Sequence, residues 1–169
     1  MSETTNNGAY QFEIVRTFNA PRQKVWKAWT TESSLLQWWG PKGFKMLAGK
    51  LELKPGGVFH YGMQTPDGNE MWGKFIYREI HAPDRLVFVN CFSDKDGNTC
   101  PNPWMPVWPL ETLNVVSFEE VDGKTVITLR GAPINPTPEE LKAYEGLKES
   151  MQQGFSGTWA QLDEYLAHN

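Results

Sequence analysis

Little in this chain invites redox, metal or polyanion chemistry. Of its 169 residues only 2 are cysteine, Cys91 and Cys100, and they fit no CxxC spacing. In a reducing cytoplasm both are expected as free thiols. The 3 histidines, His60, His81 and His168, show neither HxxxH nor His/Cys spacing, so no metal site is expected. The net charge is -4 and no long basic run occurs, which argues against nucleic acid or a membrane surface as partner. No stretch approaches the about 18 consecutive apolar residues of a membrane span. The start, MSETTNNGA, lacks the charged and apolar parts of a signal peptide, and the expected location is the cytoplasm. Neither GxGxxG nor GxxxxGK[ST] is present, so a nucleotide held by a Gly-rich loop has no support in the sequence and no cofactor is expected. GFSG at 154–157 lacks the GxSxG pattern and the strand before it, which leaves Ser156 an ordinary helical residue.

What the chain has in excess is aromatic surface: 8 Trp, 9 Phe and 5 Tyr. A chain of about 150 residues buries about 70% of its unfolded surface, enough for one substantial core. The expected division is a polar, disordered tail over 1–9 and a single domain over 10–169. Rings beyond the needs of a small core suit an internal apolar cavity.

Period-two alternation of Phe12, Ile14 and Arg16 with Glu13, Val15 and Thr17 predicts a first strand. Asn19-Ala20-Pro21 then opens a helix with Val25, Trp26 and Trp29 on its apolar face. Thr30 or Thr31 caps a second, short helix over 32–39 that buries Leu35, Leu36, Trp38 and Trp39 and ends at Gly40-Pro41. Strands are expected over 44–53, 58–64, 71–81, 86–92, 110–121 and 124–130, separated by KPGG, PDGN, APD, a long loop and VDGK. Such short connections make antiparallel neighbours. The long loop, 93–109, carries Trp104, Trp108 and 4 prolines, and needs something to cover. Thr137-Pro138-Glu139-Glu140 is a capping box with proline in the first turn. It predicts a helix that, unbroken to His168, would be roughly 45 Å long. Leu141, Tyr144, Met151, Phe155, Trp159, Leu162 and Leu166 form its apolar stripe. Gly154 lies on that stripe, and either packs closely against a strand or leaves room for a ligand.

Strands grouped together with helices segregated predict an α+β fold. The segments APRQKVWKAWT, LLQWWGPKGF, PGGVFHYGMQTPDG, EIHAPDRLVF and MQQGFSGTWAQLDEYL, in this order between Tyr10 and Leu166, resemble the START-like (SRPBCC) superfamily. Within it they are most similar to the branch related to the C-terminal domain of the activator of heat-shock chaperone ATPase. The resemblance implies a helix-grip fold: a curved seven-stranded antiparallel sheet around a long C-terminal helix, two short helices after the first strand, and a deep, often apolar pocket between them. Phe155 stands where that family commonly has Trp, and the Pro- and Trp-rich loop departs from its pattern.

With such a cavity, adjacent Trp38 and Trp39 cannot face the same way, since neighbours on a helix are about 100° apart. One seals the core and the other nears the cavity entrance, or both are simply packed. On the sheet, Phe59, Tyr61 and Met63 share one face, as do Phe88, Asn90 and Phe92; His60 falls on the opposite face. The candidate ligand-binding set is these six with Trp72, together with Met151, Phe155 and Trp159 from the helix, and Trp104 and Trp108 as a lid. Asn90, between two aromatics, would orient a polar group. Glu70, Glu79, Asp84 and Glu111 would serve as general acid or base only if buried in the pocket. For Glu79 an ion pair with Arg85 across the turn is the expected role. No catalytic residue is assigned.

Three functions are compatible with this reading. The first is binding of a small hydrophobic or aromatic molecule. The second, implied by the family resemblance, is a chaperone-associated adaptor that binds a partner protein. The third is a cyclase- or hydrolase-like enzyme using the same pocket. The oligomeric state is open, a homodimer included.

Overall fold

The computed structural model describes residues 11–169. The stretch 1–9, expected as a disordered tail, lies outside the described residues. Seven strands form one antiparallel path: β1 (Phe12–Phe18), β2 (Lys45–Leu51), β3 (Val58–Gln64), β4 (Glu70–His81), β5 (Arg85–Ser93), β7 (Thr112–Val121) and β8 (Lys124–Pro133). Their spatial order is β1-β8-β7-β5-β4-β3-β2. An eighth, two-residue strand not anticipated from sequence, β6 (Thr99–Cys100), pairs with β5 off this path. Turn chemistry accounts for the hairpins: Gly56, Gly68, Gly97 and Gly123 all take positive φ, where a Cβ would be strained.

β1 and β2 lie at opposite edges of the sheet, and the two short helices between them, α1 (Arg22–Thr30) and α2 (Glu32–Trp38), span that distance. Pro21 sits at the N-cap of α1, and Val25, Ala28 and Trp29 are its buried face. Thr31 holds the N-cap position of α2 but makes no side-chain cap bond there, and the Thr30 hydroxyl donates to the Trp26 carbonyl instead. The capping expected of these threonines is therefore absent. Gly40, at φ 117°, turns the chain after Trp39.

The single long helix expected after Thr137 is two helices. The capping box is present, with Thr137 and Glu140 exchanging side-chain to backbone bonds around Pro138. However, α3 (Pro138–Gly146) stops at Gly146, Leu147 leaves helical geometry, and α4 (Lys148–His168) restarts from it. Gly146 explains the stop, since glycine costs about 1 kcal/mol in a helix interior and is at home near a helix end. At 1.5 Å per residue, α4 is about 31 Å long.

One face of the sheet is covered by α1, α2 and α4, and the core lies between them. Trp159 on α4 is fully buried and meets Phe18, Trp29 and Phe155 at ring-centroid distances of 5.6, 6.5 and 5.9 Å. Polar contacts fasten α4 at both edges of this core. Arg16 on β1 pairs with Asp163 at 2.5 Å, the Ser34 and Tyr165 hydroxyls meet at 2.7 Å, and Lys24 donates to the Leu166 carbonyl. Outside the core, Arg22 pairs with Asp84, and the Glu79 carboxylate meets His81 at 3.2 Å.

Candidate ligand-binding site

Toward the N-terminal half of α4 the sheet and the helices separate, leaving a cavity of about 340 Å³. Its floor follows from strand register. One cross-strand row runs Phe12, Gly131, Asn114, Phe88; the next runs Thr112, Asn90, Phe75; a third runs Phe92, Gly73, Tyr61. Successive rows sit two residues apart on each strand, so all of these residues present the same face. Two rows contain a mid-strand glycine, and both are covered by a tyrosine. A Cβ on Gly73 would stand 2.7 Å from Tyr61 Oη, and one on Gly131 would stand 2.6 Å from Tyr144 Oη. Glycine at these points lets each phenol lie flat against the backbone.

The side wall is the segment that follows α2. Trp39, Gly40 and Pro41 line the cavity, with Met63 and Met71 beside them. This segment is held to α4 through one carbonyl: Gly40 O accepts from Thr158 Oγ1 at 3.0 Å and from Gln161 Nε2 at 2.8 Å. Trp39 stands edge-on to Phe75 at 4.8 Å and to Tyr61 at 6.2 Å. The roof is Met151, Gly154 and Phe155 of α4 with Tyr144 of α3. Phe155 stacks on Phe12 at 5.7 Å, and Trp108 from the loop before β7 leans on Tyr144 at 5.3 Å. Gly154 is not a close-packing glycine: a Cβ there would meet nothing within 4 Å. Its missing side chain leaves the mouth open.

The polar groups of the cavity are all uncharged. Among the described residues that line it there is no Asp, Glu, His, Lys or Arg. Asn90 Nδ2 donates to Tyr61 Oη at 3.3 Å and to the Lys74 carbonyl at 3.1 Å, and Thr112 Oγ1 donates to the Asn90 carbonyl. Burial pushes the Tyr61 phenol above its ordinary pKa, and the Asn90 bond and the nearby Trp39 indole offset this only in part. Trp39 Nε1 itself makes no hydrogen bond of regular geometry. Burial likewise pushes up Tyr144 and the Cys91 thiol.

Of the residues expected from sequence, Tyr61, Met63, Asn90, Phe92, Trp108, Met151 and Phe155 are brought together around this cavity. The others are not. Phe59, Phe88 and Trp159 share the correct face but are fully packed in the core below it. Trp72 points to the opposite face, where it stacks on His60 at 5.2 Å and donates to Glu70. Its strand neighbours Met71 and Gly73 face the cavity, and alternation turns Trp72 away. Trp104 is 61% exposed and touches Phe92 edge-on rather than closing the mouth. The four carboxylates Glu70, Glu79, Asp84 and Glu111 do not line the cavity. The sequence reading missed Phe12, Met71, Gly73, Thr112, Asn114 and Tyr144. Asn114 carried the signal used for Asn90, a polar residue on an apolar strand face. Gly73 and Gly131 carried the signal of glycine inside a strand.

An antiparallel sheet gripping a C-terminal helix, with two short helices after the first strand and an open interior, is the helix-grip architecture of START-like proteins. The chain belongs to the family described as activator of Hsp90 ATPase homolog 1-like protein, whose pattern it matches over residues 19–167. No curated protein is detectably similar to it in sequence. Solved structures are similar over nearly the whole chain. A Mycobacterium smegmatis protein shares 29% identity and a TM-score of 0.72, over 90% of this chain and 87% of its own. An Arthrobacter aurescens protein shares 27% identity and a TM-score of 0.73, over 93% and 86%. The AHSA1 protein from Silicibacter pomeroyi, at 18% identity, 92% and 96% coverage and a TM-score of 0.68, shares the fold. Among the described residues no helix is long and apolar enough to cross a membrane.

Proposed function

We propose that the protein binds a small, neutral, hydrophobic or aromatic molecule in the cavity between the sheet and α4. The observation that carries this reading is the open volume of about 340 Å³ lined by rings and methionines, with clear space beyond Gly154. That volume lies at the lower end of the range for small-molecule sites, about 300–1,000 Å³. Burial of apolar surface supplies the driving force, at about 25 cal/mol per Å². Asn90, Thr112, Asn114 and the two tyrosine hydroxyls supply orientation. Met63, Met71 and Met151 adapt the wall to the occupant, because a thioether chain has low torsional barriers and polarisable sulfur.

The adaptor reading rests on the family description alone. The enzyme reading needs a proton donor or acceptor that faces the occupant. Here that task would fall to Tyr61, Tyr144 or Cys91, and burial raises the pKa of all three, which favours their protonated, donating form over that of a base at neutral pH.

The test is titration of the purified protein with naphthalene, biphenyl, fluorene and diphenylmethane, followed by tryptophan fluorescence. A saturable change is expected, and Phe155→Ala should weaken it by about tenfold through lost apolar contact. A signal that stays flat across the panel contradicts the proposal.

A further inference from the structure

On the cavity floor two N–H donors meet one phenol oxygen. Asn90 Nδ2 donates to the Lys74 carbonyl at 3.1 Å and to Tyr61 Oη at 3.3 Å. A carbonyl only accepts, so the first bond fixes which end of the Asn90 amide carries the hydrogens. The second is then a bond that Tyr61 accepts. The Trp39 indole N–H, enclosed and without a bond of regular geometry, is the other donor acting on this oxygen, and with Asn90 it opposes the burial that raises the phenol. An oxygen that receives from two N–H groups turns its own hydrogen away from both. Among the described residues nothing accepts that hydrogen. Nor is the ring free to swing toward a partner. Tyr61 is 4% exposed, lies on Gly73 where a Cβ would stand 2.7 Å from Oη, and is held by Phe59 and Phe75 at ring-centroid distances of 5.1 and 5.8 Å. A second atom is equally unspent. Asn90 Oδ1 accepts no hydrogen bond among the described residues and is not enclosed, which leaves it open on the cavity that Asn90 lines. Oδ1 shares its carbon with Nδ2, so one oxygen atom at ordinary hydrogen-bond distance reaches both Oδ1 and Tyr61 Oη.

We propose that Tyr61 and Asn90 form a seat for one hydroxyl group, Tyr61 donating to its oxygen and Asn90 Oδ1 accepting its hydrogen. The seat deepens the cavity reading above and rests on it: the occupant is a neutral, ring-bearing alcohol or phenol. The donor and acceptor inventory sets the choice. A hydroxyl both accepts and donates through a single oxygen. A ketone only accepts and sets its lone pairs against Oδ1, and a hydrocarbon leaves both protein groups unmatched. With a hydroxyl in place the bonds close a ring, from the Asn90 N–H through Tyr61 and the occupant back to Asn90 Oδ1, in which each donor polarises the next. Burial keeps the Tyr61 phenol protonated and donating at neutral pH. A carboxylate brings no hydrogen for Oδ1, and it would give up its hydration in a cavity whose described lining carries no charged side chain.

The experiment compares matched sets by isothermal titration calorimetry on the full chain: diphenylmethane, diphenylmethanol and benzophenone, then fluorene, 9-fluorenol and 9-fluorenone. The alcohol of each set is expected to bind about tenfold more tightly than the hydrocarbon, the effect of two neutral hydrogen bonds, and more tightly than the ketone. Tyr61→Phe, checked by thermal melting for an intact fold, removes one of the two bonds and should cut the alcohol-to-hydrocarbon ratio to about threefold or less. Asn90→Leu, checked in the same way, should erase the preference for alcohol over ketone, because nothing then repels the carbonyl. Equal binding within the sets overturns the seat and leaves the cavity reading standing. No binding by any member overturns both. A ketone that binds as tightly as its alcohol overturns the role of Oδ1 and with it the choice of a hydroxyl, and an unchanged ratio in folded Tyr61→Phe overturns the assignment of the donor. Because the ligand comparison needs no mutation, it decides the matter even if a variant fails to fold.

Discussion

Trp38 and Trp39, adjacent in the chain, meet edge to face with ring centroids 5.7 Å apart and face different environments. Trp38 is fully buried and its indole Nε1 donates to the Ala28 carbonyl at 2.9 Å. Trp39 caps α2 in extended geometry and lines the cavity. Their substitutions should therefore separate stability from binding. Trp38→Phe strands a buried carbonyl and opens a void, and should cost about 2–3 kcal/mol in urea unfolding. Trp39→Phe breaks no regular hydrogen bond and should cost about 1 kcal/mol or less, while changing the affinity for apolar probes. Equal losses of stability would contradict this division.

Gly154 offers the reverse case. With nothing within 4 Å of its Cβ position, Gly154→Ala should gain about 0.5–1 kcal/mol from helix propensity, read as a higher urea midpoint. Gly154→Phe places a ring across the mouth and should abolish probe binding with the fold intact. Retained affinity in that variant would place the entrance elsewhere.

The Gly40 carbonyl is the point at which α4 holds the cavity wall. Thr158→Val removes one of its two donors and Gln161→Leu removes the other. Each should cost about 1 kcal/mol, and the double variant more than their sum if the Trp39–Pro41 segment detaches. A double-mutant cycle in urea measures that coupling, and strict additivity would show that the segment is held by packing alone.

Tyr61, Tyr77 and Tyr144 give the protein an alkaline limit. Burial pushes all three phenols above the ordinary value, so the folded state holds protons that the unfolded chain releases. Their contribution to stability is complete below about pH 10 and is lost as pH rises beyond it, by up to about 1.4 kcal/mol per pH unit for each tyrosine. Urea midpoints measured from about pH 8 to about pH 11 should be flat and then fall. Tyr144→Phe should make the fall shallower; an unchanged slope would show that this phenol ionises freely.

Much of this architecture is written locally. The strand over 58–64 is bounded by PGG and by PDGN, and the capping box at Thr137 by proline at the first turn, so both follow from nearest neighbours. The break at Leu147 was hidden because Tyr144 and Met151, on either side of it, keep a seven-residue spacing that mimics one continuous stripe. The cavity was legible by face but not by depth. Phe59 and Phe88 face the same way as Tyr61 and Asn90, yet they lie in the part of the sheet that the core fills. Alternation along a strand carries no information about where the covering helix lifts away. Asn114 and Gly131 become meaningful only when register places them opposite one another, a non-local fact. Trp104 and Trp108 sit in a loop without period, and nothing local distinguishes the exposed ring from the one against Tyr144.

Methionine methyl groups offer the most direct test of the central claim, that the interior holds an accessible apolar cavity. Met63, Met71 and Met151 line it, whereas Met46 and Met105 do not. In ¹H–¹³C spectra of methyl-labelled protein titrated with diphenylmethane, the account predicts saturable shifts of the first three resonances with the other two unmoved. Shifts confined to Met105 or Met46, or no saturable shift at all, would contradict it.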